Sequence, residues 1–203
     1  VSGRAVRGLL ALPLLGALLT GCGIRPTEVP TDFGGAPSRV PCSPAGSGRA
    51  TQSPEGVPVQ VFLLCGASLV TVDRSVRVPE GTPDARRRVM VAQGLLDQLA
   101  SAPSAGERAA GYQTRVPGGI TVTGPGHAEP EEALRLSTAP DRLGSPALAQ
   151  VVCTFSDSAA AEGDGSVILA GPAPAAPRRY ECTEGVRDHP GRVQPPSGSV
   201  ASN

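Results

Sequence analysis

Two strand-forming stretches separated by only three residues constrain this chain more than any other feature. Val59-Gln60-Val61-Phe62-Leu63-Leu64-Cys65 is a short, strongly apolar run, the pattern of a strand buried on both faces. After Gly66-Ala67-Ser68, the stretch from Leu69 to Val78 alternates. Val70, Val72, Val76 and Val78 share one face, Thr71, Asp73, Ser75 and Arg77 the other, and only Arg74 breaks the apolar side. Three residues are too few for a parallel crossover, so the pair must fold as an antiparallel hairpin. The core beneath it has few large side chains to draw on. Aromatics make up 2% of the 203 residues (Phe33, Phe62, Phe155, Tyr112 and Tyr180), which leaves Val, Leu and Ala to build it.

Pro79-Glu80-Gly81 ends the second strand, and a helix is expected to follow. Thr82 is placed to cap orphan N–H groups, Pro83 suits the first helical position, and Asp84 favours the positive end of the dipole. Ala85, Val89, Ala92, Leu96 and Leu99 draw one apolar stripe. Arg86, Arg87 and Arg88 lie mostly off it, on a face expected to be solvated; contact with an acidic partner or a lipid headgroup is the functional alternative. Ala102 to Tyr112 reads as a loop, and Thr114 to Val122 as a turn leading into a strand. Gly124-Pro125-Gly126-His127 punctuates, and Ala133-Leu134-Arg135-Leu136-Ser137 is the partner strand.

A second helix is expected from Ser145-Pro146, with Leu148, Val151, Val152, Phe155 and Ala159 as its buried stripe and Gly163 to Gly165 as its end. Ser166 to Ala170 and Arg178 to Cys182 read as strands on either side of a proline-rich turn at Gly171 to Pro177. The predicted order is therefore ββαββαββ. This is an α+β domain, with a mostly antiparallel sheet and both helices packed on one face. The two halves match in element order without a convincing residue repeat. Residues 22–56 and 185–203 are rich in Pro, Gly and Ser and cannot bury enough surface to offset their ordering entropy. A flexible tether is expected before a domain at 57–184, and a disordered tail after it.

The first 21 residues read as a leader. Arg4 and Arg7 make a short positive region, and Gly8 to Leu19 is an apolar run too short to span about 30 Å of hydrocarbon. Leu19-Thr20-Gly21-Cys22 then resembles the lipobox of bacterial lipoproteins at all four positions. That resemblance implies cleavage between Gly21 and Cys22, and a thioether-linked, acylated glycerol on Cys22. The domain would be held by those acyl chains on the extracellular face of the cytoplasmic membrane. An ordinary secretory signal is the alternative, but an A-x-A-like cleavage site is missing near the end of the run.

Charge adds one exclusion. The formal net charge is zero, so loss of Arg4 and Arg7 would leave the remainder near −2, with no electrostatic reason to expect nucleic acid as a partner. All 18 basic residues are arginine, the coding bias of a high-GC genome. With Cys22 assigned to lipid, Cys42, Cys65, Cys153 and Cys182 remain. An even remainder in an exported chain reads as two disulfides with three pairings open. No Cys or His spacing points to zinc, and no cofactor or metal is expected.

With Leu95-Leu96 closing the first helix as the first of several matching features, the chain resembles the GerMN domain, an exported α+β module of spore-germination and cell-envelope proteins. Gly111-Tyr112-Gln113-Thr114-Arg115-Val116-Pro117 after the Pro103 loop carries the resemblance, with Ala133 to Ser137 as the strand before helix two. Ala149-Gln150-Val151-Val152-Cys153-Thr154-Phe155 matches the Ala/Leu-Gln-aliphatic-aliphatic-x-Thr run in that helix. The match spans about residues 57 to 184. Cys153 departs from the family, which often has a large residue there, so the family does not fix the cysteine pairing. The layout favours 42–65 as a local clamp, with 153–182 joining the second helix to the last strand. Small actinobacterial lipoproteins with such a domain are also encoded beside envelope-stress sensor kinases.

No catalytic set stands out. His127 follows a Gly-Pro-Gly turn, His189 falls in the tail, and no G-x-S-x-G elbow occurs. Glu129, Glu131 and Glu132 sit in a polar loop without aromatics to stack on sugar rings. Asp157 to Asp164 lacks the twelve-residue calcium-loop pattern. The expectation is a non-enzymatic, lipid-anchored module that binds another envelope component, either a protein or a sensor-kinase ectodomain. A solute receptor and a hydrolase rank below it: the first needs two lobes and an aromatic-lined cleft, the second a histidine within reach of a nucleophile.

Overall fold

The computed structural model describes Cys42, residues 56–161 and residues 163–200. The hairpin forms as the short spacing requires. Strands β1 (Val57–Cys65) and β2 (Ser68–Val76) pair antiparallel along their whole length, from Val57 opposite Val76 to Cys65 opposite Ser68. Ser68 belongs to the second strand, so the turn is Gly66-Ala67, with Gly66 at φ +62°. Glycine adopts that φ without strain, and a two-residue turn of this hand matches the twist of the flanking strands.

Successive side chains of β1 enter different clusters. Val61, Leu63 and Cys65 join the larger core, and Phe62 and Leu64 join a smaller one with Leu69, Ala149, Cys153 and Val186. Helix α1 (Asp84–Ala100) covers the first face with Val91, Ala92, Leu95, Leu96 and Leu99. The expected start of its stripe, Ala85, is exposed. Pro83 occupies the N-cap, and the Thr82 hydroxyl donates to the Pro79 carbonyl at 2.6 Å instead of capping. Gly94 brings α1 close to β2: a Cβ there would stand 2.2 Å from Val76 Cγ1.

The expected loop at 102–112 contains a short helix, α2 (Ala105–Ala109). Ser104 and Glu107 cap it reciprocally, side chain to backbone in both directions. Strand β3 (Tyr112–Gln113) follows and pairs with β1 only at Leu64 and Cys65, closing a three-stranded sheet of order β2-β1-β3.

A second sheet holds the rest. Strands β4 (Val122–Thr123) and β5 (Leu134–Leu136) form the expected pairing, and helix α3 (Ser145–Ser156) leads to β6 (Ser166–Ala170), which lies parallel to β5. Strand β7 (Arg178–Glu181) pairs antiparallel with β6. A strand, helix and parallel strand make a βαβ unit, so the predicted mostly antiparallel single sheet is replaced by one antiparallel and one mixed sheet. The α+β class holds; the ββαββαββ order does not.

Every residue of α3 from Ala147 to Ser156 is buried, so its single expected stripe is too narrow. It also runs too far, because the helix ends at Ser156 and Ala159 is exposed beyond it. The helix touches β1 in one sheet, β6 and β7 in the other, and α1 beside it. A helix surrounded in this way has no solvent face: Leu148, Val151, Val152 and Phe155 enter the larger core, Ala149 and Cys153 the smaller one, and the polar Gln150 and Thr154 are buried as well. Its N-cap is Gly144, and Ser145 is already helical.

The tail expected to be disordered from 185 onward instead forms helix α4 (Glu184–Asp188) and strand β8 (Ser197–Ser199) at the edge beside β7. The reason is local. The Thr183 hydroxyl accepts from the Val186 N–H, and Val186 is fully buried in the smaller cluster. The Glu181 N–H reaches the Pro196 carbonyl at 3.0 Å, and Gln194 donates to Ser145. Composition alone hides one buried valine and a run of backbone pairing. Apart from Cys42 and Gly56, the expected tether at 22–56 lies outside the described residues.

Candidate functional site

The C-terminal half of β1 is closed by two polar side chains of α3. The Phe62 N–H donates to Thr154 Oγ1 at 2.9 Å, and the Phe62 carbonyl accepts from Gln150 Nε2 at 3.0 Å. Gln150 Oε1 also accepts from the Arg115 N–H at 2.8 Å. Both side chains are fully buried, and strand β3 is too short to reach Phe62. They therefore stand in for the missing strand, which is the physical reason for a glutamine and a threonine four residues apart in an apolar helix.

Helix α1 repeats the device on the other sheet. Gln93 Oε1 accepts from the Val122 N–H at 2.8 Å, and Gln93 Nε2 donates to the Ile120 carbonyl at 3.3 Å and to Asp97 at 2.8 Å. Each helix thus carries an Ala-Gln pair, Ala92-Gln93 and Ala149-Gln150, with a polar residue four positions on.

The N-terminal half of β1 has no such closure among the described residues. In an antiparallel strand the N–H and C=O of one residue point to the same side, and alternate residues share a side. Phe62 points away from β2, so Gln60 and Pro58 do as well. Both are exposed, and neither the Gln60 backbone nor the Pro58 carbonyl has a partner on that side among the described residues. This edge lies in a groove of about 1590 Å³. Val57 and Val59 line it from one face of the strand and Gln60 and Phe62 from the other, so the groove wraps around the edge itself.

Five charged side chains line the groove. Asp73 accepts from Gln60 Nε2 at 3.1 Å, and Arg74 pairs with Glu107 at 2.7 Å. Burial would raise the Glu107 carboxyl, but the Ser104 N–H and the Arg74 guanidinium outweigh it and hold that carboxyl below its ordinary range. Arg87, Arg187 and Asp157 have no ion-pair partner among the described residues. Arg87 is one helical turn before Val91, on the α1 side of the strand. Arg187 follows Val186 on the α4 side, where its guanidinium comes within 4.0 Å of Cys182 Sγ. Among the described residues the edge thus has one guanidinium without an ion-pair partner on each face.

The other residues singled out in the sequence are dispersed. Cys42 and Cys65 lie at disulfide distance with Cα atoms 5.9 Å apart, and Cys153 and Cys182 likewise at 4.9 Å. The Tyr112 hydroxyl donates to the Cys42 carbonyl at 2.7 Å, adding a second tie at that corner. Glu129 forms a fork with Arg135, and that pairing, helped by the Gly126 N–H, holds its carboxyl below the ordinary range against the effect of burial. Arg135 also donates to the carbonyls of Gly171 and Ala175, so Glu129 and Arg135 join two loops.

Glu131 and Glu132 stay on the surface beside it, and Arg88 donates to the Glu131 carbonyl. Asp164 accepts from the Ser166 hydroxyl and N–H, which lower its carboxyl, and it pairs with Arg179. His127 sits in an exposed turn, and His189 ends α4, also exposed. Among the described residues no three His, Cys, Asp or Glu side chains lie close enough to hold a metal ion, and no helix is long and apolar enough to cross a membrane. Gly21 and Cys22 lie outside the described residues.

The open edge departs from the expectation of a strand buried on both faces from Val59 to Cys65, because Val59 is half-buried and Gln60 is exposed. A signal was present: a proline within a strand belongs on an edge, because it cannot donate to a ladder, and Pro58 is the second residue of β1. No family model, curated protein or solved structure matches this chain.

Proposed function

We propose that this chain is a non-catalytic binding module of the cell envelope, held on the extracellular face of a membrane by acyl chains on Cys22. The observation that carries the reading is the Leu19-Thr20-Gly21-Cys22 tetrapeptide after a charged and apolar leader. Two further features support it. Paired cysteines belong to oxidising compartments, and two pairs at bonding distance fit a domain outside the cytoplasm. The groove beside β1 offers backbone groups and guanidinium groups to a ligand, the chemistry of a recognition surface.

The resemblance to the GerMN domain supports the same class, and its narrower form is an accessory lipoprotein that modulates an envelope-stress sensor kinase. Labelling cells with an alkyne palmitate tests the anchor. The wild-type chain takes up label and fractionates with membranes, whereas Cys22→Ala takes up none and is released with its disulfides intact. Label retained by Cys22→Ala, or an unlabelled wild type, would overturn the anchor. An adjacent sensor kinase and response regulator in the genome favours the narrower form, and their absence there argues against it.

A further inference from the structure

We propose that the open stretch of β1 docks an extended, acidic peptide segment of a partner protein as an added strand. This rests on the binding-module reading and names the class of partner; it is independent of the anchor. The Gln60 N–H, the Gln60 carbonyl and the Pro58 carbonyl face the groove as a ladder with no strand opposite among the described residues. An extended peptide satisfies such a ladder with its own main chain, which gives affinity without demanding a particular sequence. The next residue along, Phe62, shows what the edge requires: the fold supplies Thr154 and Gln150 there as substitutes for a strand. No equivalent side chain serves Gln60 among the described residues.

Charge selects the peptide. Side chains of an added strand alternate between its two faces, and the groove presents Arg87 on one face of β1 and Arg187 on the other. Two adjacent carboxylates on the peptide meet both guanidinium groups at once. Asp73 and Arg74 are already engaged, by Gln60 and Glu107, and Asp157 at the end of α3 is the single unpaired carboxylate among the described groove residues. The complement is therefore an acidic segment with its charge away from that end.

The test uses the full chain in detergent micelles and a fluorescein-labelled peptide, Thr-Val-Glu-Glu-Val-Thr. Saturable binding is expected by anisotropy. The same peptide with alternate amides N-methylated should bind at least about tenfold more weakly in the register that faces β1, because strand pairing needs those N–H groups. Gln60→Pro removes the outward N–H at an edge that already accepts Pro58, and should weaken binding about tenfold. Gln60→Ala keeps that N–H and should stay within about twofold. Arg87→Glu with Arg187→Glu should invert the preference toward a Lys-Lys analogue of the peptide. N-methylation leaves the protein untouched, so the outcome stands even where Gln60→Pro folds poorly.

Absence of saturable binding up to about 1 mM peptide overturns the proposal, as does binding indifferent to both N-methylation and Gln60→Pro. A concentration-dependent dimer that Gln60→Pro dissolves overturns it in favour of a second copy. Slow exchange of the Gln60 amide in the peptide-free chain overturns it in favour of residues 43–55. Cys22→Ala that binds the peptide like wild type shows that docking survives a failed anchor.

Discussion

The two halves of β1 are one strand with two fates. From Phe62 to Cys65 its outer edge is met by Thr154, Gln150 and then β3, and its residues are buried on both faces. From Val57 to Gln60 the same backbone is half-exposed and borders a groove. One face differs little between the halves, since Val57, Val59, Val61 and Leu63 continue it, whereas the other changes from exposed Pro58 and Gln60 to buried Phe62 and Leu64. The reach of α3 changes with it, because that helix ends at Ser156 beside the groove. A strand's chemistry toward partners is therefore set by the neighbour that stops short of it together with the residues it then exposes.

The largest expected effect strikes the closed end. Replacing Cys42 and Cys65 together by Ala should cost about 3 to 4 kcal/mol by chain entropy alone, read as the fall in urea-unfolding free energy. An unchanged midpoint would mean that the clamp does not hold β1. Gln150→Leu keeps the bulk, leaves the buried Phe62 carbonyl without a partner and takes the acceptor from the Arg115 N–H, for about 3 kcal/mol in all. Thr154→Val orphans one group and should cost about half as much. If both variants unfold like wild type, the closure is ornamental and the contrast between the halves disappears.

A smaller effect separates amide closure from ionic closure. The seal on Phe62 contains no titrating group, so acid should not loosen it. The fork of Arg135 on Glu129 should. Because pairing with Arg135 holds the folded-state pKa of Glu129 below its ordinary value of 4.5, its contribution is fully present above about pH 4.5. It is lost as pH falls through the lower folded value. Glu129→Gln should flatten that part of the stability profile between pH 6 and 3, and an unaltered profile would remove Glu129 from the account. At the bottom of the scale, Gln60→Ala should change unfolding free energy by less than about 0.5 kcal/mol, as expected of an exposed edge position.

Much of this frame was legible in the residues. The short gap after Cys65 dictated the hairpin, and the two helices and the strands around Leu136 and Val167 follow from apolar spacing. The 42–65 and 153–182 neighbours are the pairs favoured by the layout. Other features were written in the sequence but outweighed. Ser104-x-x-Glu107 is a capping-box signature inside a stretch whose proline and glycine argue for loop. Gly94 in a helical pattern signals close approach, here to Val76. The division into two sheets was not legible, because nothing local distinguishes a β5–β6 parallel pairing from an antiparallel one. The tail's order rests on fully buried Val186, on buried Pro190 and Pro195 and on backbone pairing with β7, and composition averages these out.

Amide hydrogen exchange of the purified full chain, compared at Phe62 and Gln60, tests the central contrast most directly. The account predicts that the Phe62 amide, bonded to Thr154 within the core, exchanges only with global unfolding, while the Gln60 amide two residues away exchanges within seconds to minutes. Equal protection at both positions would contradict it.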